Sequence, residues 1–243
     1  MEELDTKARA STELVYYNCL YEDTIPTDLE LSDVYEAIIT DDGESTSAWD
    51  TDGKFNVKQQ LRQHFRAHQY LNSKLPVALT IDQILKAHQI LMQGSFVNLK
   101  GIKNGEFRQC PVTAGPHIFP PFEEIEQRLL YVVYTWNARR STTTDKAVES
   151  AAQFFFDVVN LHPFVDGNGR LSRLLASHVI RQLGLPIPLR IDNGLKTGRE
   201  DYLHAVTERS GRAIRELFFA SFCLATKHRA EPNSSIRMES CCT

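Results

Sequence analysis

The residues best suited to chemistry in this sequence lie in one short segment, His162-Pro-Phe-Val-Asp-Gly-Asn-Gly-Arg170, and at Arg173 just after it. An imidazole with an ordinary pKa of about 6.5 can take a proton from a hydroxyl group at neutral pH, so His162 is a candidate general base. Asp166 offers the hard carboxylate oxygen that Mg²⁺ prefers, and Mg²⁺ commonly completes its shell with substrate phosphates. Together, His162 and Asp166 indicate a reaction in which a hydroxyl oxygen attacks a phosphorus atom.

The residues that follow suit the binding of phosphate oxygens. Gly167 and Gly169 flank Asn168, so the backbone can turn its N–H groups inward as an anion nest, to which the next helix adds its own unpaired N–H groups. Arg170 and Arg173 fall on one face of the first turn of that helix, within reach of the distal phosphates of a nucleotide. The alternative is a plain interhelical turn with a structural histidine and solvated arginines; the combination and its spacing favour a phosphate site.

The elements that must position this segment are mainly helices. Apolar residues at helical spacing predict helices at about residues 6–21, 29–40, 57–71, from 80 onward, from 122 to 137, 145–161, 170–184, 198–209 and 212–225. The helix over 145–161 is apolar on most faces and is expected to be buried. Between Lys103 and Pro121, short alternations with glycines and prolines predict a small β-hairpin. The predicted fold class is therefore all-α with one small β-hairpin.

Composition and charge argue against nucleic-acid-binding, membrane and secreted proteins. The formal net charge of −4 argues against a nucleic-acid-binding surface. No apolar run approaches the roughly 18–20 residues of a membrane helix, and the N-terminus is acidic where a secretory signal is basic. The five cysteines lack metal-ligand spacing, so reduced thiols are expected. We therefore expect a cytoplasmic protein that binds neither nucleic acid nor membranes.

The segment from His162 to Arg170, with Arg173, resembles in full the Fic-family motif His-Pro-Phe-x-Asp/Glu-Gly-Asn-Gly-Arg-x-x-Arg. A looser resemblance extends from about residue 71 to 222, including Gly105-Glu-Phe-Arg108, which is similar to the segment leading into the family's flap hairpin. The resemblance implies a protein adenylyltransferase that transfers AMP from ATP, with Mg²⁺ or Mn²⁺, to a Ser, Thr or Tyr hydroxyl of a target protein, itself included. It also allows a homodimer.

By this resemblance each motif residue has a role. His162 would deprotonate the target hydroxyl, and Asp166 would bind the metal ion. Residues 167–169 would hold the α- and β-phosphates through the amides of Gly167 and Gly169 and through Asn168. Arg170 would bind the β-phosphate and Arg173 the γ-phosphate.

The resemblance also assigns residues around the motif. Phe164 would hold the nucleotide-binding loop from the core. Tyr202 is similar to an aromatic on the adenine side, although an aromatic on an amphipathic helix is more often a core residue. The hairpin around residues 112–119 would be the flap that aligns the target segment by strand-like pairing.

An N-terminal segment resembles the family's inhibitory helix, which ends in Ser/Thr-x-x-x-Glu-Gly/Asn. Here Asn18-Cys-Leu-Tyr-Glu22-Asp23 has Asn for Ser/Thr and Asp for Gly/Asn. The hypothesis is that Glu22 pairs with Arg173 and keeps ATP from binding productively. The alternatives are a solvated helix end, or a carboxylate that positions water to remove AMP from modified targets.

Two other functions stay open at this point. One is another Fic-type transfer, of UMP, phosphocholine or, in a kinase, phosphate; kinase-type relatives replace the second motif Gly with Lys, and Gly169 is intact. The other is a non-catalytic nucleotide-binding module, which the unbroken motif disfavours. The predicted organisation is an N-terminal helical segment with an acidic loop (1–53), a Fic catalytic domain (54–228) and a mobile tail (229–243).

Overall fold

The computed structural model describes residues 2–22, 26, 28–40, 56–93, 103–114, 117–139, 143–184, 188–191 and 198–230. The acidic loop predicted at 41–53 lies outside the described residues, as do Asp23 and Thr24. Of the predicted tail, residues 229 and 230 continue the last helix, and 231–243 lie outside the described residues.

Within those ranges the protein is mainly helical with one two-stranded sheet, which confirms the predicted fold class. The helices are α1 (Glu2–Tyr21), α2 (Leu31–Ile39), α3 (Val57–Asn72), α4 (Ile81–Leu91), α5 (Ile125–Ala138), α6 (Thr144–Leu161), α7 (Asn168–Gln182), α8 (Gly198–Thr207) and α9 (Gly211–Ala230). The strands are β1 (Thr113–Ala114) and β2 (His117–Ile118). A short 3₁₀ turn at Phe122–Glu124 leads into α5.

The hairpin is shorter than the sequence suggested. β1 and β2 pair antiparallel, with Thr113 opposite Ile118, and the Phe119 N–H continues the pairing to the Val112 carbonyl at 3.3 Å. Beyond this point Pro111 and Pro120 have no N–H group to donate to a ladder. The rest of the 103–121 segment is therefore held by side chains instead of strand pairing.

Helix α6 is the centre of the core, as its apolar faces predicted. It packs against α5, α7 and α9, and Phe154, Phe155 and Val158 are fully buried among them. Since α6 ends and α7 begins at the motif segment, two helices with many buried residues fix both ends of that segment. This places the candidate site on a rigid scaffold.

The first three helices form a smaller cluster beside this core. Val15 and Cys19 of α1 pack with Val34 of α2 and Leu61 of α3, and all four are buried. Helix α1 also contacts α7. The N-terminal helix therefore lies against the same helix that begins at the motif. Among the described residues, no helix has the length and apolar character needed to cross a membrane.

Candidate active site

His162 ends α6 in a left-handed backbone conformation. Its φ of +50° is in the left-handed region, and its N–H donates to the Val158 carbonyl at 3.2 Å. A non-glycine residue in this region costs about 1 kcal/mol or more of backbone energy, so the surrounding structure must hold it there. The Nε of Arg108 does so by donating to the His162 carbonyl at 2.8 Å.

The His162 imidazole is neutral and shielded. Its ring stacks on Phe119 at 3.9 Å between centroids, with 18° between the planes. Burial is the main cause that lowers the pKa of His162 to about 4, and the nearby charge of Arg108 lowers it further. The imidazole is therefore unprotonated at neutral pH, which a general base must be before it accepts a proton.

Asn168 and Phe164 give the motif loop its shape. The Phe164 N–H donates to Asn168 Oδ1 at 2.9 Å, and Asn168 Nδ2 donates to the Phe164 carbonyl at 2.8 Å. The amide of Asn168 thus closes the loop instead of presenting its polar atoms to a ligand. Phe164 faces the core and stacks on His88 at 3.7 Å between centroids, so it supports the loop from below and does not face a nucleotide.

His88 is a residue that the sequence interpretation missed. The Gly105 N–H donates to its Nδ1 at 2.9 Å, which leaves its Nε2 to donate to the Asp166 carbonyl at 3.0 Å. Burial lowers the pKa of His88 to about 4, so this neutral form persists. A signal was available, because His88 lies one turn after Ile84 and next to Ala87 on the apolar face of α4.

Arg108 is the second missed residue. Its side chain is fully buried and donates to the carbonyls of His162, Cys110 and Pro120, while its backbone N–H donates to the Pro163 carbonyl. One guanidinium thus joins both ends of the flap segment, at Cys110 and Pro120, to the motif loop. The resemblance included Arg108, but spacing alone gave no reason to assign it this role.

The glycine turn places its first glycine in a left-handed conformation. Gly167 has a φ of +75°, and a Cβ added there would lie 2.6 Å from Met92 Sδ, so both conformation and space require glycine. Asp166 Oδ1 accepts the Gly167 N–H at 2.6 Å. The other oxygen, Asp166 Oδ2, lies 3.7 Å from Arg170 NH2, and the Asp166 side chain is 59% exposed.

This environment fits a metal ion that is held chiefly by substrate phosphates. Asp166 presents one accessible carboxylate at the mouth of the nest, which matches the one or two carboxylates that Mg²⁺ usually takes from a protein. The described residues contain no group of three or more His, Cys, Asp or Glu side chains that could hold a metal ion. The protein alone therefore builds no closed metal cage among those residues.

Arg173 is buried in a network centred on α1. Its Nε donates to Asn18 Oδ1 at 2.9 Å, and its NH2 donates to the Asn18 carbonyl and to Glu22 Oε1, both at 2.8 Å. Its NH1 donates to the Tyr202 hydroxyl at 2.6 Å. Asn18, which replaces the family's Ser/Thr, thus contacts Arg173 directly.

Glu22 and Arg173 form an ion pair in which each stabilises the other's charge. Burial opposes both charges, yet the Coulombic attraction and the hydrogen bond prevail. As a result the pKa of Glu22 lies below its ordinary value and the pKa of Arg173 above its own. The carboxylate also lies over the nest, because a Cβ added to Gly169 would overlap Glu22 Oε1.

Tyr202 is less accessible than its predicted place beside adenine implies. It is buried, and its ring stacks on Tyr21 of α1 at 5.2 Å between centroids. The Arg173 guanidinium lies 5.1 Å from the Tyr202 ring. Tyr202 therefore joins the Arg173 network and is covered by α1.

The sequence is similar to known proteins over the segment that builds this site. Residues 78–180 match the sequence model of the Fic/DOC family. A Fido domain-containing protein of Dictyostelium discoideum is 40% identical over 95 residues, which cover 38% of this chain and 66% of that protein. The protein adenylyltransferase Fic of Drosophila erecta is 34% identical over 140 residues, 57% of this chain. The chain spans 26% of the length of that adenylyltransferase.

The fold of this chain is also similar to the folds of solved structures. A Fic family protein from Desulfovibrio desulfuricans G20 superimposes with a TM-score of 0.69 at 19% identity, covering 95% of this chain and 67% of that one. Fic-1 (residues 134–508) from C. elegans gives a TM-score of 0.66 at 23% identity, covering 90% of this chain and 63% of that one. At these identities the likeness concerns the fold.

Proposed function

We propose that this chain, which belongs to the Fic/DOC family through its domain at residues 78–180, transfers AMP from ATP to a hydroxyl side chain of a target protein. One observation carries the proposal: the neutral imidazole of His162 stands beside a glycine nest at the N-terminus of α7, within one loop fixed by two buried helices. The similarity to proteins named protein adenylyltransferase supports it.

In the proposed reaction His162 takes the proton of a Ser, Thr or Tyr hydroxyl as that oxygen attacks the α-phosphorus of ATP. The new oxygen–phosphorus bond forms as the bond from the α-phosphorus to the leaving pyrophosphate oxygen breaks. The Gly167 N–H already donates to Asp166 Oδ1, so the N–H groups of Asn168 and Gly169 at the start of α7 hold the phosphate oxygens. Arg170, nearly buried at the mouth of the nest, stabilises the β-phosphate charge.

Asp166 would hold Mg²⁺ or Mn²⁺ together with the phosphates. A bound divalent ion supplies charge neutralisation for the departing pyrophosphate. The Gly167 N–H holds Asp166 Oδ1 and leaves Oδ2 beside Arg170, so the carboxylate is oriented before a ligand arrives.

We further propose that Glu22 suppresses this activity in the resting protein. It occupies Arg173, the predicted ligand of the γ-phosphate, and its carboxylate stands over Gly169. An anion already bound there repels phosphate oxygens and takes the space they need. ATP can then bind in the productive orientation only after α1 moves.

The experiment that tests the reaction compares α-labelled and γ-labelled ATP with Mg²⁺, using the chain itself and a cell extract as acceptors. Adenylylation predicts transfer of the α label alone. Transfer of the γ label would instead indicate a kinase, and transfer of neither label by an uninhibited variant would indicate a nucleotide-binding module. His162→Ala should abolish the α label, and persistence of the label would remove His162 from the mechanism.

Glu22→Gly tests the inhibition. Freeing Arg173 should raise α-label transfer at least about fivefold, the lower end of typical coupling energies. Glu22→Gln is the matched control, because it removes the charge but keeps the side-chain volume and so separates repulsion from occlusion. Equal rates in the Gly variant and the unaltered protein contradict the proposal.

A second activity is favoured by the placement of the same carboxylate. Glu22 is 35% exposed, and its oxygen lies next to the nest, where it can orient water for the removal of AMP. Release of label from a premodified target should then fall in Glu22→Gln. Undiminished release would exclude this role.

The remaining partner predictions are part of the same proposal. ATP and a hydroxyl-bearing protein are the expected partners, and the chain itself is a candidate target. A homodimer is a further prediction, which sedimentation analysis of the purified chain tests.

A further inference from the structure

The turn between α8 and α9 has a backbone geometry that glycine normally supplies. The Arg209 N–H donates to the Val206 carbonyl at 3.2 Å and the Ser210 N–H to the Ala205 carbonyl at 3.0 Å. These two bonds form a Schellman motif, whose left-handed position is usually glycine because a Cβ is disfavoured there. That position is Arg209, with a φ of +48°.

The side chain of Arg209 reaches the flap. Its guanidinium lies 5.3 Å from the centroid of the Phe119 ring, and its NH2 donates to the Ile118 carbonyl at 3.4 Å. Phe119 directly follows β2, and its ring is the one that stacks on His162 at 3.9 Å. A chain of contacts therefore runs from the α8–α9 turn through the end of the flap to the candidate base.

We propose that Arg209 is a positioning residue for His162: it holds Phe119 against the imidazole and so fixes the orientation and shielding of the base. This inference rests on the proposed adenylylation, because it concerns the group that would accept the proton of the target hydroxyl. The strained backbone at Arg209 is then explained by its side chain, which glycine would lack.

The other charges that face His162 come from different elements. They are Arg108 from the segment before the flap, Glu22 at the end of α1, and Asp166 in the motif loop. None of them is among the contacts of Arg209 with Phe119 and Ile118. A change at Arg209 therefore alters the shielding of His162 while leaving these charges in place.

Arg209→Gly separates the side chain from the backbone. Glycine relieves the left-handed conformation, so the melting temperature should stay equal or rise. The side-chain contacts are lost, and kcat for α-label transfer should fall about three- to fivefold, the factor expected for one cation–π contact. The KM for ATP should not change, because Arg209 touches none of the phosphate-binding residues. The measurements are made with Mg²⁺, ATP and the same acceptors in the Glu22→Gly background.

NMR of the chain labelled with ¹³C at histidine Cε1 provides a readout that does not depend on activity. Loss of a signal in His162→Gln identifies His162. Its pKa should rise from about 4 toward the ordinary value of about 6.5 in Arg209→Gly, and further in Phe119→Ala, as water reaches the ring. The acid limb of the pH–rate profile should shift to higher pH as the pKa of His162 rises.

Two control variants complete the test. Arg209→Lys keeps a cation and should restore part of the loss, whereas Arg212→Ala removes an exposed arginine of the next helix and should change nothing. An unchanged His162 pKa and unchanged kcat in Arg209→Gly overturn the inference. If no variant transfers the α label, the proposed function fails, but the NMR titration still decides whether Arg209 shields His162.

Discussion

At the residue scale, the motif loop depends on positions where only one side chain fits. Gly167 has a left-handed φ and faces Met92, and Asn168 uses both ends of its amide to bind the Phe164 backbone. Neither requirement concerns a ligand. Part of the family motif is thus conformational, and the groups left for chemistry are His162, Asp166 and the arginines.

Gly167→Ala tests the conformational role. The added Cβ meets a strained φ and the Met92 thioether, so the free energy of unfolding should fall by about 2 kcal/mol or more. Gly184→Ala is the matched control: its φ is +94°, but a Cβ there meets nothing within 4 Å, so only the backbone term applies. Urea denaturation measures both, and an equal loss in the two variants would show that contact with Met92 contributes nothing.

At the element scale, α1 is the proposed inhibitory element, and it packs beside the large core that holds the candidate site. Its inner face contributes Val15 and Cys19 to the small cluster with α2 and α3, and its end contributes Asn18 and Glu22 to the Arg173 network. Among the described residues of α1, only Leu14 and Tyr21 are buried members of the large core around α6. Helix α1 can therefore loosen while α6 and α7 remain packed.

Val15→Ala should loosen α1 selectively. Val15 is fully buried, and its truncation removes about 1–2 kcal/mol of apolar burial. Hydrogen exchange should become faster in α1 but not in α6, and α-label transfer should rise. Arg9→Ala is the control, because that side chain is 74% exposed. Faster exchange throughout the protein would contradict independent loosening of α1.

At the scale of the whole molecule, the protein keeps several histidines buried and neutral. Burial is the main cause that lowers each of these pKa values. The pKa of His68 falls to about 3, and the pKa values of His88, His162 and His178 fall to about 4. The pKa of His64 falls well below its ordinary value. Protonation of these side chains therefore opposes folding.

Stability should consequently fall on acidification. The unfolded chain protonates histidine near pH 6.5, whereas His68, His88, His162 and His178 of the folded protein bind a proton only near pH 4 or below. The unfolded state therefore gains protons first. Between these pH values each such histidine contributes a loss of up to about 1.4 kcal/mol per pH unit. Urea denaturation at pH 7, 6 and 5 should show a falling free energy of unfolding. His68→Gln should flatten the slope, and a free energy independent of pH would refute this account.

The sequence by itself determined the helices, the buried nature of α6 and the identity of the motif, because these depend on local spacing and residue type. The pairing of Glu22 with Arg173 was predicted from the resemblance to the family's inhibitory helix, whereas the contacts of Asn18 with Arg173 were not predicted. The contacts of His88, Arg108 and Arg209 were decided only by the tertiary structure. Each contacts the loop or the flap from a distant part of the chain, and no local pattern encodes which carbonyl or ring a side chain will meet once the helices pack.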